Sequence, residues 1–190
     1  MYGHLTMLQR VALLPFVEGR TVHDLGSGNH LEQSKVLLEL GAFGVVAVDR
    51  SIDVDPCFIP QRVTLRRCEF KDFTDPVDVA FVSWPSSHPH DRYMNLVPIL
   101  ERARLVAYLG SNLNGIACGT PELFNHLMMR RMLAVVPDFR NSLLVCGEKL
   151  KALRAPSPEE AAAIEMYDAD EPCARIFNED EWAKYLSVNL

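Results

Sequence analysis

Short apolar runs alternate with segments of helical periodicity along most of this chain. Residues 21–27 (TVHDLGS) are an apolar run closed by glycine. Residues 31–41 (LEQSKVLLELG) repeat apolar side chains at Leu31, Val36, Leu38 and Leu40 and stop at Gly41, so the spacing predicts a helix with Gly41 just past its end. Residues 44–50 (GVVAVDR) form a β-branched run ending on an acid, and 63–70 (VTLRRCEF) alternate like a strand with one wet face. Residues 77–85 (VDVAFVSWP) are nearly all apolar, as in a strand buried on both sides. A helix over 91–103 has to accommodate Pro98, 104–111 is another buried strand, and 121–132 reads as a helix with Thr120 as N-cap and Pro121 in its first turn. Then the rhythm changes. Residues 133–139 and 141–149 are two strands with no room for a helix between them, hence an antiparallel pair with a tight turn. The tail carries an Ala-rich helix from Ser157 to about Tyr167 and an amphipathic segment at 179–186.

This order predicts a three-layer αβα sandwich around a mostly parallel seven-stranded sheet with an antiparallel last strand. One domain over 1–190 is expected, with an N-terminal cap segment (1–20), a core (20–149) and a C-terminal helical appendage (150–190). Ligands in such sheets bind beyond the carboxyl ends of the strands. The unusual residues cluster there: Asp24 to Asn29, Asp49-Arg50, Glu69 to Asp72, Ser83 to Asp91 and Gly110 to Asn114.

Composition narrows the options. The chain has 190 residues, 48% hydrophobic and 23% charged, which is enough to build a core without disulfides or structural metal. Its net charge of −6 argues against a partner held by phosphate neutralisation, although Arg62, Arg66 and Arg67 crowd one stretch. Five scattered cysteines without C-x-x-C spacing point to reduced thiols. Residues 1–20 lack the pattern of a secretory signal, and no apolar run is long enough to span a bilayer. A cytoplasmic protein is expected, without a membrane partner, and a homo-oligomer is compatible with the sequence.

The chemistry starts at Val22 to His30, VHDLGSGNH. Gly26 and Gly28 after a strand suit a tight turn and a ligand lying against the backbone. The dinucleotide fingerprint would put a third glycine at position 31, where Leu31 stands. Asp24, just before the glycines, would repel a pyrophosphate and suits a cationic or amino-bearing ligand. Both departures weigh against NAD and FAD.

These residues resemble the first motif of the class I S-adenosylmethionine-dependent methyltransferases, an acid-x-Gly-x-Gly loop after a strand, here Asp24-Leu25-Gly26-Ser27-Gly28. The resemblance covers about residues 20–149 and implies S-adenosyl-L-methionine as cofactor. It places Asp24, Gly26, Ser27 and Gly28 at the methionine part and Asp49, with Arg50 beside it, at the ribose hydroxyls. Glu69-Phe70, and after them Asp72, fall at the adenine, and Ser83 at the end of the fourth strand. The closing antiparallel pair matches the family's last two strands.

At the acceptor end, Ser83 to Arg92 reads SWPSSHPHDR. Base-amino methyltransferases carry an Asp/Asn/Ser-Pro-Pro-aromatic sequence here, and this order departs from it. Trp84 is either a wall of an acceptor pocket or core, and Asn112 is a second substrate-side candidate. His88 or His90 could act as general base toward a hydroxyl acceptor; a proline-stiffened loop with surface histidines explains them equally well. No metal site is assigned. The expected function is S-adenosylmethionine-dependent methylation of a small molecule. The alternatives are a nucleic-acid or protein methyltransferase, or a catalytically inactive partner with the same fold.

Overall fold

In the computed structural model of the chain, the residues described are 4–85, 96–110, 123, 126, 127, 129–137 and 142–150. Seven strands form one sheet: β1 (Thr21–Leu25), β2 (Gly44–Asp49), β3 (Val63–Arg67), β4 (Val79–Ser83), β5 (Leu105–Gly110), β6 (Arg130–Pro137) and β7 (Ser142–Lys149). Their order is β3-β2-β1-β4-β5-β7-β6. The first five strands are parallel, and β7 runs antiparallel between β5 and β6. The expected sheet is thus present, with the chain's last strand as the antiparallel one.

The alternation of side chains sends the two halves of each strand to opposite cores. Val22, Val79, Phe81, Ala107, Leu143 and Val145 join α1 (Met7–Val17) and α2 (Glu32–Glu39) through Leu13, Val17, Val36 and Leu37. Leu25, Val48, Val82, Tyr108 and Leu144 face the other way, onto Ile99 and Leu100 of α3 (Val97–Arg102) and the helical residues Leu123 and Leu127. That is the three-layer sandwich.

α1 begins with a capping box: Thr6 Oγ1 accepts the Gln9 N–H, and Gln9 Oε1 accepts the Thr6 N–H. Gln9 is buried and donates across to the Val136 carbonyl on β6. α2 ends as its sequence predicts. Gly41 takes a φ of +86°, its N–H reaches the Leu38 carbonyl, and the Ala42 N–H reaches that of Leu37, a Schellman closure. Pro98 falls in the first turn of α3, where a missing N–H costs nothing.

Two expectations need correction. The alternation of strand and helix does not hold throughout, because β2–β3 and β3–β4 are linked by chain with only 3₁₀ turns, at Pro56–Phe58 and Phe70–Asp72. Phe70, read as the end of a strand, sits in the second turn. The helix read over 121–132 stops short, since β6 already starts at Arg130. Bulges between Arg130 and Ala134 let this stretch look helical in letters while pairing with β7. Residues 7–17, within the N-terminal segment, form a core-facing helix. The turn at 138–141 and the appendage at 151–190 lie outside the described residues.

Arg130 anchors the far end of the sheet. Its buried guanidinium donates to the Gly147 carbonyl at 2.7 Å, to Ala103 at 2.8 Å, to the Leu100 carbonyl and to His126 Nε2 at 3.1 Å. It therefore caps the C-terminal end of α3 and ties it to β7. Burial pulls its pKa down, yet a guanidinium stays charged. Arg130→Met should lower unfolding free energy by about 3–5 kcal/mol, since three dry carbonyls each lose a donor. Arg130→Lys, which cannot fan out to all of them, should fall between. Urea unfolding of the three proteins checks the order; equal stabilities would contradict it.

Candidate functional site

Six residues separate the end of β1 from the start of α2, and three of them are left-handed: Gly26 (φ +81°), Gly28 (φ +60°) and Leu31 (φ +52°). A Cβ on Gly28 would meet no atom within 4 Å, and one on Gly26 only the Phe70 ring tip at 3.9 Å. The glycines are thus required by backbone shape, and the space over the loop is open. Leu31 stands where the third glycine of a dinucleotide loop would be and accepts the left-handed conformation, at a cost of about 1–2 kcal/mol. Its side chain, 1% exposed, packs on Ala47 and Ile52, and burying a leucine contributes about 2 kcal/mol in return.

The loop is tied to the end of β2. The Gly26 N–H donates to the Val48 carbonyl at 2.8 Å, and the Gly28 N–H to Asp49 Oδ2 at 3.1 Å. Asp49 Oδ1 accepts from the Ser51 N–H at 2.8 Å and from Ser51 Oγ at 3.0 Å. Asn29 Oδ1 accepts the Asp53 N–H at 2.9 Å. A carboxylate accepts about four hydrogen bonds, and Asp49 has three. This loop lies where β1 and β4 part in opposite directions across the sheet, at the switch point of the strand order.

Asp24 lies under the loop. It is 1% exposed and takes a 2.6 Å hydrogen bond from Ser34 Oγ on Oδ2, with the Ser34 N–H as a further donor. Leu31 supplies no side-chain cap to α2, so Asp24 fills that role from the neighbouring strand. Burial pushes its carboxyl up to about 6, against the pull of the Ser34 bonds and with the Asp49 charge adding to the rise. On the opposite face of β1, burial lowers the pKa of His23, which meets the Phe73 ring edge-on at 5.6 Å.

The remaining expected residues are distributed unevenly. Ser27 is half-buried, and its Oγ is shielded from solvent with no hydrogen-bond partner. Arg50 is exposed at the end of β2, and His30 is exposed on the loop. Glu69 starts the 3₁₀ turn and pairs with Lys71 at 2.7 Å. Phe70 is core, packed against Leu25, Val48 and Phe73, and forms the floor beneath Gly26; Asp72 is exposed. Ser83 closes β4, and Trp84 follows with a φ of +48°, its N–H on the Leu109 carbonyl at 2.8 Å and its side chain against the core edge. The structure thus brings Asp24, Gly26, Ser27, Gly28 and Asp49 together, with Phe70 below. His88, His90 and Asn112 lie outside the described residues.

Ser34 and Ser51 were not singled out in the sequence. Ser51, two positions after an acid that ends a strand, carries a readable signal, because Asp-x-Ser favours this local turn. Ser34 carries none: only the fold brings it to a residue ten positions earlier.

Asp24 yields a stability prediction. A folded-state pKa raised from 3.8 to about 6 means that the folded protein holds this proton more tightly than the unfolded chain. The resulting stabilisation is complete below pH 4 and is lost as pH rises to about 6, by up to about 3 kcal/mol. Asp24→Asn lacks this loss. Its stability relative to wild type should improve by about 2–3 kcal/mol between pH 4 and pH 7, measured by denaturant unfolding at each pH. A difference independent of pH would contradict the buried placement of this carboxyl.

Neither a protein-family model nor a curated protein sequence matches the chain. Solved structures do match in fold. The ribosomal protein L11 methylase of Lactobacillus delbrueckii subsp. bulgaricus superposes with a TM-score of 0.55 at 18% identity, covering 75% of this chain and 79% of that one. An S-adenosylmethionine-dependent methyltransferase of Mesorhizobium loti gives 0.53 at 14% identity, covering 73% and 95%. A candidate tRNA (m1A22) methyltransferase of Streptococcus pneumoniae, solved with S-adenosyl-L-methionine, gives 0.51 at 14% identity, covering 85% and 87%. The chain has the Rossmann-like fold of the class I S-adenosylmethionine-dependent methyltransferases.

Proposed function

We propose that this protein binds S-adenosyl-L-methionine over the ends of β1 and β2 and transfers its methyl group to a small-molecule acceptor. The observation that carries the reading is the pairing of Asp49 with the left-handed glycine loop. One oxygen of the carboxylate fixes the loop through the Gly28 N–H, and the carboxylate retains capacity for a sugar hydroxyl. The orphaned Ser27 Oγ and the open space above Gly26 and Gly28 also fit a cofactor lying on this backbone.

Bound S-adenosylmethionine would supply a methyl already activated on a sulfonium, so the chain's own contribution is to bind, orient and exclude water. Asp49 accepts the ribose hydroxyls, and Ser51 Oγ rotates away to free the second position. Ser27 meets the amino-acid end. Asp24, buried under the loop, holds the first turn of α2 and adds negative potential beneath the cofactor's cationic end. Phe70 supports the loop from below. Ser83, Trp84 and Pro85 form the start of the acceptor side.

A second reading is favoured by the neighbours themselves, since the Streptococcus protein is described as acting on tRNA and the Lactobacillus one on a ribosomal protein. The exposed Arg50, Arg66 and Arg67 at the ends of β2 and β3 would then face the macromolecule.

Calorimetric titration of the purified protein with S-adenosylmethionine and S-adenosylhomocysteine tests the cofactor. Asp49→Ala should weaken binding at least about 30-fold, because it removes two charge-assisted bonds, whereas Ser51→Ala should stay within about threefold of wild type. No binding by wild type, or unchanged binding by Asp49→Ala, would overturn the assignment. Methyl-labelled cofactor, incubated in turn with a small-molecule cell extract and with total RNA and ribosomes, decides the acceptor. Label in the small molecules supports the first reading, and label in the macromolecules replaces it with the second.

A further inference from the structure

Two carboxylates border the same loop in unlike surroundings. Asp49 is half-buried at the end of β2 and accepts three hydrogen bonds. Asp24 is 1% exposed on β1, and among the described residues its donors are the Oγ and N–H of Ser34. The strands on either side set Ala47 and Phe81 level with it, and both side chains are apolar. On α2, Glu32 and Lys35 are exposed; on α1, Arg10 is paired with Glu39. His30, Arg50 and Asp53 are exposed around the loop. The charge that reaches Asp24 is that of Asp49, of like sign, and it adds to the burial that pushes the carboxyl up to about 6. A dry carboxyl beside a like charge is poised between acid and carboxylate. A cation over the loop would tip it to the carboxylate.

We propose that Asp24 is the residue that tells S-adenosylmethionine from S-adenosylhomocysteine. It gives up its proton to solvent when a sulfonium lies over Gly26 and Gly28, and regains one from solvent once methyl transfer has left a neutral thioether. Under the cofactor reading above, on which this rests, the two ligands share their ammonium, carboxylate, ribose and adenine. The sulfonium charge is the difference that the carboxyl can sense. The open space over Gly28 leaves room for that charge, and the first turn of α2 keeps the carboxyl in place through Ser34. A cation favours the ionised carboxyl. The preference for the sulfonium form is therefore smallest at pH 5 and below, where a proton has to be displaced, and grows as pH rises through about 6. A fall of about one unit in the Asp24 pKa on binding makes that growth about fivefold between pH 5 and pH 8.

Calorimetry of the full-length protein with both ligands at pH 5, 6, 7 and 8, in buffers of different ionisation heat, reads affinity and proton release together. In wild type the affinity ratio should rise about fivefold from pH 5 to pH 8. At pH 6, S-adenosylmethionine should release about 0.4 proton more than S-adenosylhomocysteine does. In Asp24→Asn the ratio should stay flat within about twofold. Carbon NMR of wild-type protein with labelled aspartate reads the carboxyl directly. Its titration midpoint should fall by about one unit with S-adenosylmethionine and stay in place with S-adenosylhomocysteine. Three outcomes would overturn the proposal and leave the cofactor reading standing: a ratio independent of pH in wild type, a pH dependence that Asp24→Asn retains, or a carboxyl midpoint that S-adenosylmethionine does not move. Absence of binding by the wild type would overturn the cofactor reading, and the proposal with it.

Discussion

The carboxylate at the end of β2 sets the geometry on which the site depends. Asp49 accepts one N–H from a loop that belongs to the neighbouring strand and two bonds from its own chain just downstream. With the Gly26 N–H on the Val48 carbonyl, Asn29 Oδ1 on the Asp53 N–H and Leu31 packed on Ala47 and Ile52, that cross-strand bond holds a loop with three left-handed residues against the sheet. Such a loop has few helical or ladder bonds of its own, and its conformation has to be imposed from outside. In the proposed reading the same carboxylate also accepts a ribose hydroxyl, so fixing the loop and holding a ligand fall on one side chain.

A buried arginine on the edge strand β6 and a buried carboxyl on the inner strand β1 are accommodated differently. Arg130 remains a cation because four acceptors surround it. Among the described residues Asp24 has Ser34 as its hydrogen-bond partner, and burial shifts its equilibrium toward the neutral acid. The first arrangement is a rigid joint. The second leaves a carboxyl whose charge state responds to what lies above it, directly beneath the open loop.

Much of this was legible in the sequence. Gly41, Pro98, the apolar β4 and the antiparallel β6–β7 pair all follow from local chemistry, and local chemistry was not overridden there. The acid-x-Gly-x-Gly loop was legible for the same reason, because left-handed residues after a strand demand glycine. Leu31 shows the limit of that logic. Its letter says helix interior or absent glycine, yet it is a left-handed leucine made tolerable by Ala47 and Ile52, residues sixteen and twenty-one positions away. Likewise the start of β6 at Arg130 was hidden, because its bulges break the period-two pattern and its buried arginine resembles a surface residue. Where a role is set by a distant partner, as for Ser34, no window of sequence contains it.

The fold also divides the labour of the proposed reaction unequally. The half over β1 and β2 is fixed by backbone hydrogen bonds, two carboxylates and a packed floor at Phe70. The β3 side is thin, since both of its crossovers lack an α-helix and one face of the strand carries Thr64 and Arg66 into solvent. A bound sulfonium needs little beyond alignment, so the cofactor half has to be rigid, whereas the acceptor half can differ among proteins that share this sheet. In the proposed reading, acceptor choice belongs to the segments following β4 and β5. The left-handed turn at Trp84, its N–H on the Leu109 carbonyl, lies directly after β4. A large aromatic in that conformation is strained, and the neighbouring strand over-determines it. In the proposed reading that strain is held for a ligand, and acceptor specificity starts at the end of β4.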